Sequence, residues 1–186
     1  MLRNLTVQEL INKTKAREAN PGGGSIVTLT GILGINLVLM LGELSKLDDV
    51  AKERSKKLND ISIKLEKVME DDVYAFDSVL KALKLPKGDE RKEKIQLGYK
   101  EATKPPLDTI NYLLEALDLC DEILKQGTKN AISDGKIGND LIYNAIILSF
   151  NNVEINAKYI KDFDVDLDEI RKKAEDLYKR NKNIFV

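Results

Sequence analysis

Apolar residues recur along most of this chain at steps of three and four, the spacing that lines one face of an α-helix, and no segment reads as a convincing strand. An all-α fold of helices joined by short turns is therefore expected. The first helix is expected to begin at Thr6, where Thr6-Val-Gln-Glu9 has the form of a capping box, and to run to about Glu18. Asn20-Pro21-Gly22-Gly23-Gly24 then breaks the chain, and Ser25 is placed to cap a second helix reaching about Leu44. That helix is apolar all round, with Gly31 and Gly34 permitting close contacts, so it belongs inside either protein or lipid. Its uncharged run from Pro21 to Gly42 matches the ~20 residues of a membrane span. The highly charged amphipathic helices around it need a core to wrap, which favours a buried central helix in a soluble bundle.

A third helix is expected from Asp48 to about Lys84, with Leu58, Ile61, Leu65, Val68, Ala75, Val79 and Ala82 as its apolar stripe. Asp72 occupies the slot where this series calls for a leucine. It is either an inward-facing functional carboxylate or a sign that the stripe has drifted around the helix. Leu85-Pro86 ends this helix, and a charged fourth helix opens at Asp89. Pro105-Pro106 is expected to interrupt the fourth helix and leave Leu107 to Gln126 as a separate one, stopped by Gly127. Ser133-Asp134 is a candidate cap for an apolar helix from about Gly135 to Lys161, and Asp166 to Lys182 forms a final charged helix.

Size and charge narrow the function. The 186 residues suit one domain, read as spanning residues 1–186. With 30 Lys+Arg against 31 Asp+Glu, the chain has no positive excess to neutralise a phosphate backbone, so nucleic acid is not an expected partner. The lone Cys120 and the absence of a Cys/His cluster fit a reducing cytosol, predict no metal site, and match an N-terminus without a signal or transit pattern. There is no histidine. Acid–base chemistry must therefore come from Asp, Glu, Lys, Tyr or water.

Four constellations can carry such chemistry. The Gly22-Gly23-Gly24-Ser25 turn offers free amides at a helix start, which either receive an anion or merely give tight entry to a crowded helix. Asp72, if inward, would have its pKa raised by desolvation and act near neutrality; otherwise it is a surface acid beside Asp71. Lys84 and Lys87 bracket Leu85-Pro86, where they either meet a carboxylated ligand or complement a helix dipole. Asn152 and Asn156 share a helix face with Ser149 and Ala145, so their amides either reach one ligand or bridge helices.

Taken in order, the PGGGS turn, Asp72-Val-Tyr-Ala-Phe76 leading to Lys84-Leu-Pro-Lys87, Glu101-Ala-Thr-Lys-Pro105, and Ser133-Asp134 followed by Asn152-Val-Glu-Ile-Asn156 resemble one family. It is the cyclodeaminase half of formiminotransferase-cyclodeaminase together with the methenyltetrahydrofolate cyclohydrolases. The resemblance covers about residues 5 to 162. It implies a multihelical bundle wrapped around one buried central helix, a homodimer, a tetrahydrofolate derivative as substrate and no cofactor. It implies Asp72, Lys84 and Lys87 as catalytic residues. Gly22, Gly23, Gly24, Ser25, Ser133, Asp134, Asn152 and Asn156 would bind the substrate. The implied reaction closes formiminotetrahydrofolate with loss of ammonia, or interconverts methenyl- and 10-formyltetrahydrofolate. Two departures stand out: Gly42-Glu-Leu-Ser-Lys-Leu47 replaces a Gly-Lys-Lys-aromatic stretch usual in relatives, and Asn139, Asp140 and Tyr143 stand in a helix usually rich in Ala and Gly. The competing reading is a noncatalytic helical module that dimerises or binds a partner.

Overall fold

The computed structural model describes residues 1–17 and 21–185, and among them every regular element is helical. Seven α-helices follow in order: α1 (Val7–Thr14), α2 (Gly23–Glu43), α3 (Asp49–Ala75), α4 (Asp77–Leu83), α5 (Asp89–Lys125), α6 (Ile132–Ala157) and α7 (Leu167–Lys182). Short 3-10 turns at Leu2–Asn4 and Asn183–Phe185 flank them.

Local signals place most helix starts. Thr6 and Glu9 form the expected capping box, although α1 stops at Thr14, and Glu18 lies outside the described residues. Asp48 accepts from the Ala51 amide and Asp166 from the Glu169 amide, each satisfying a donor that a helix start leaves unpaired. Three expectations are corrected. Ser25 does not cap α2: the cap position is Gly22, in extended backbone, and Ser25 lies inside the first turn. Ser133 and Asp134 do not cap α6 either; they too sit in its first turn, behind Ala131. The third correction concerns the prolines, since α5 runs unbroken through Pro105 and Pro106.

The reason lies on α6. Pro106 has no amide to give the carbonyl four residues back, that of Ala102, and an orphaned buried carbonyl is costly. The Asn156 side chain donates to the Ala102 carbonyl at 3.1 Å and fills that vacancy. The helix expected from Asp48 to Lys84, by contrast, is divided at Phe76. Gly98 of α5 permits the shift, because a Cβ there would come within 2.9 Å of the Val79 backbone nitrogen and push α4 away.

Helix α2 is long and apolar enough to cross a membrane. Here it packs on α3, α5 and α6. It runs antiparallel to α6, and their backbones meet where a Cβ on Gly138 would lie 2.6 Å from the Gly34 carbonyl oxygen and one on Gly135 would strike Leu41. Ile35, Val38 and Leu41 are fully buried against Ile110, Leu113, Ile142 and Ile146. Burial is confined to part of the α2 surface. Leu33 and Met40 are exposed, while the face carrying Ile35, Val38 and Leu41 forms the buried centre that the sequence led us to expect.

The departures on α6 now have a physical account. Asn139 accepts from buried Asn181, Asp140 accepts from the Tyr178 hydroxyl at 2.8 Å, and Tyr143 stacks on Tyr178 with ring centroids 4.0 Å apart. These polar and aromatic residues seat α7 on α6.

Candidate functional site

Asp72 faces inward, in register with the buried stripe of Leu58, Ile61, Leu65, Val68, Val79 and Ala82. Its carboxylate meets the start of α2, accepting from the Ser25 hydroxyl at 2.8 Å and from the Ser25 amide. Gly24 makes this approach possible. A Cβ there would stand 2.4 Å from Asp72 Oδ1, far inside van der Waals contact. The glycine is thus used for closeness to another helix.

Burial pushes the Asp72 carboxyl above the ordinary aspartate value, against the opposing pull of the Ser25 hydroxyl and amide. A carboxylate on a helix N-terminus is also a familiar cap, so the hydrogen bonds alone do not identify a reacting group. The surroundings add what a cap lacks. Asp72 opens onto a cleft of about 300 Å³ bounded by Gly22, Gly24, Phe76, Leu80, Asn152 and Asn156. That is the lower end of the ~300–1,000 Å³ range of ligand sites, enough for a ring system whose remainder extends into solvent. The Asn152 side chain makes no hydrogen bond among the described residues, so its carboxamide is free at the cleft.

The structure therefore gathers Gly22, Gly24, Ser25, Asp72, Asn152 and Asn156 at one end of the α2–α6 pair. Asn156 has a double position, since its amide nitrogen is engaged by Ala102 while the residue lines the cleft. Gly23 is exposed beside the cleft and does not line it. Lys84 and Lys87 are exposed beyond the end of α4, outside the lining, with no ion pair among the described residues. Ser133 and Asp134 lie some 18 residues before Asn152 on α6, about 27 Å away at the helical rise of 1.5 Å per residue. They do not meet the cleft within one chain. Phe76, Leu80, Pro106 and Ile155 were not anticipated as cleft residues, although Phe76 stands one helical turn after Asp72 and could have been found from that spacing.

A larger groove of about 850 Å³ lies at the other end of α2, lined by residues such as Glu43, Ser45, Lys52 and Lys56. Size alone favours it. Chemistry favours the smaller cleft, where a desolvated acid, helix-start amides and a free carboxamide converge. Among the described residues, no group of three or more Cys, Asp or Glu is arranged to hold a metal ion.

The family model described as formiminotransferase-cyclodeaminase matches residues 6–176, nearly the whole chain. The chain belongs to this family. It is 30% identical over 174 residues to the methenyltetrahydrofolate cyclohydrolase of Methylorubrum extorquens, covering 87% of this chain and 84% of that protein. It is 27% identical over 196 residues to the formimidoyltransferase-cyclodeaminase of Rattus norvegicus, covering 97% of this chain but only 36% of that longer protein. The chain thus spans about a third of the length of that relative. The crystal structure of formiminotetrahydrofolate cyclodeaminase from Thermotoga maritima superposes with a TM-score of 0.81 at 23% identity, covering 99% of this chain and 97% of that one. At that identity the superposition establishes the helical fold.

Proposed function

We propose that this protein is a folate one-carbon enzyme, acting as a methenyltetrahydrofolate cyclohydrolase or a formiminotetrahydrofolate cyclodeaminase at the Asp72 cleft. The observation that carries the reading is the Asp72 carboxylate, desolvated yet held on the Ser25 amide and hydroxyl beside a ligand-sized opening. The family match supplies the substrate class.

Both reactions pass through a tetrahedral carbon between N5 and N10. In the cyclohydrolase direction the methenyl carbon is already a cationic electrophile, and the ionised Asp72 stabilises that cation. As water adds to the carbon, one of its protons passes to Asp72, which then returns it to N5 while the carbon–N5 bond breaks, and the remaining hydroxyl proton is released to solvent as the carbonyl of the 10-formyl product forms. A carboxyl with a raised pKa suits both steps, being a stronger base than an ordinary aspartate and still able to give the proton up. No cofactor beyond the folate is required. Asn152 and the helix-start amides orient the ring system, and Lys84 and Lys87, just beyond the Leu80 rim, pair with carboxylates of the folate tail.

The test is the decay of methenyltetrahydrofolate absorbance above the spontaneous rate, with formiminotetrahydrofolate supplied separately to distinguish the two activities. Asp72→Asn is expected to lower kcat about 100-fold or more, the usual scale for a lost acid–base group. Because the catalytic form is the carboxylate, kcat of the wild type falls as pH drops through a raised pKa, so the acidic limb lies above the ordinary 3.8. No turnover of either folate, or full turnover by a folded Asp72→Asn variant, refutes the proposal.

The working unit is proposed to be a cytoplasmic homodimer. Leu33, Leu37 and Met40 of α2 and Ile137, Leu141 and Leu148 of α6 repeat at helical spacing on the same flank of the antiparallel pair, and four of the six are exposed. An apolar face of this length is unusual on a monomer, and the spacing suits a second copy presenting the same face. Ser133 and Asp134 can then meet a bound folate only from the second copy. Light scattering is expected to give twice the chain mass for wild type and a folded monomer for Leu33→Glu with Leu148→Glu; a monomeric wild type rejects the dimer.

A further inference from the structure

The cleft has a wall that the acid–base chemistry does not use. Beside the polar end formed by Asp72 and Asn152, it carries Phe76, Leu80 and Ile155, three large apolar side chains that the fold leaves open to solvent. Phe76 is the flat one and is 42% exposed. It occupies the junction between α3 and α4, where the chain leaves one helix and starts the next.

Its ring is contacted by a second aromatic pair. Tyr99 meets it edge-on, with centroids 5.9 Å apart and planes at 73°, and Tyr159 stacks on Tyr99 at 4.4 Å and 14°. Both arrangements are favoured by the ring quadrupoles, so the chain of rings holds one orientation. Gln96 pins the Tyr159 end by bonding its carbonyl and the Lys161 amide. Burying the remaining Phe76 surface would release water from an apolar face, and leaving it exposed is unexplained by packing.

We infer that Phe76 is the stacking platform of the cleft, taking the face of a flat, bicyclic heteroaromatic ring whose polar edge is turned toward Asp72 and Asn152. This rests on the folate reading for the identity of the ring, a pterin, and assigns a residue that sets its orientation. Tyr99 and Tyr159 act through Phe76 as positioning residues. Stacking a heterocycle on an aromatic side chain is worth a factor of about ten or more in affinity.

The experiment follows the intrinsic fluorescence of pterin-6-carboxylic acid as protein is added, with far-ultraviolet circular dichroism confirming that each variant folds. Wild type is expected to give saturable quenching. Phe76→Leu, which keeps an apolar side chain, is expected to weaken binding about tenfold, and Phe76→Tyr, which keeps the ring, to stay within about threefold of wild type. Absence of saturable quenching by wild type, or less than about threefold weakening in Phe76→Leu, overturns the inference. Folate turnover is measured separately. A wild type that turns over folate but binds pterin independently of Phe76 loses the platform alone, and one that binds through Phe76 but turns over neither folate loses the reaction alone.

Discussion

Helix α5 carries two consecutive prolines and continues through them, whereas the stretch from Asp49 to Leu83 contains neither proline nor glycine and divides at Phe76. Both segments wall the same cleft, and in both the outcome is decided by a neighbour. In α5 a side chain from α6 supplies the hydrogen bond that Pro106 cannot make. Between α3 and α4 the break lets α4 settle its backbone onto Gly98, which turns the chain at Phe76 toward Tyr99. Helix propensity is a weak prior that tertiary contacts override, and here they do so in opposite directions around one site.

The largest effect should come from filling the seat of α4. A Cβ at Gly98 would meet the Val79 nitrogen at 2.9 Å and its Cα at 3.1 Å, both backbone atoms that cannot rotate aside. Overpacking costs about 1–3 kcal/mol, and the gain of about 1 kcal/mol in helix propensity offsets only part of the cost for alanine. Gly98→Leu adds more volume with no further propensity gain. A loss on the order of 3 kcal/mol is expected, read as a Tm lowered by about 6–12 °C for a chain of this size, together with weakened pterin binding as Phe76 moves. A Tm within 2 °C of wild type would mean that close packing at Gly98 does not hold the α3–α4 break.

What could be read from the sequence follows the same division. Features fixed by a few neighbouring residues were legible: the Thr6–Glu9 box and the Asp48 and Asp166 starts. The stripe marked Asp72 as its odd member but left open whether it faced inward, a choice that its contact with Ser25 of α2 decides. Features fixed by another helix were not. The hydroxyl of Ser25 has the chemistry of a cap, but Asp72 engages it from α3. Asn139, Asp140 and Tyr143 stood out only as departures from the usual Ala and Gly, and they dock α7, a helix whose position the pattern of α6 alone could not reveal. At the cleft, the acid, the glycines and Asn152 were anticipated from motif order, whereas Phe76 and Ile155 passed as ordinary helix residues because exposure is a property of the assembled walls.

A smaller effect tests the proline helix directly. Asn156→Leu removes the donor that serves the Ala102 carbonyl and leaves a nearly buried acceptor unpaired, at a cost of about 1–2 kcal/mol. Pro106→Ala restores a backbone amide at the position able to serve that same carbonyl. With Asn156 present, the restored amide adds little, because the acceptor already has a partner. In the Asn156→Leu background it should recover most of the loss, giving a coupling of about 1 kcal/mol between two residues on different helices. Denaturant unfolding of the four proteins in this cycle measures the coupling. If the two substitutions simply add, within about 0.3–0.5 kcal/mol, then Asn156 is not standing in for the missing amide, and the continuity of α5 through Pro105–Pro106 has another cause.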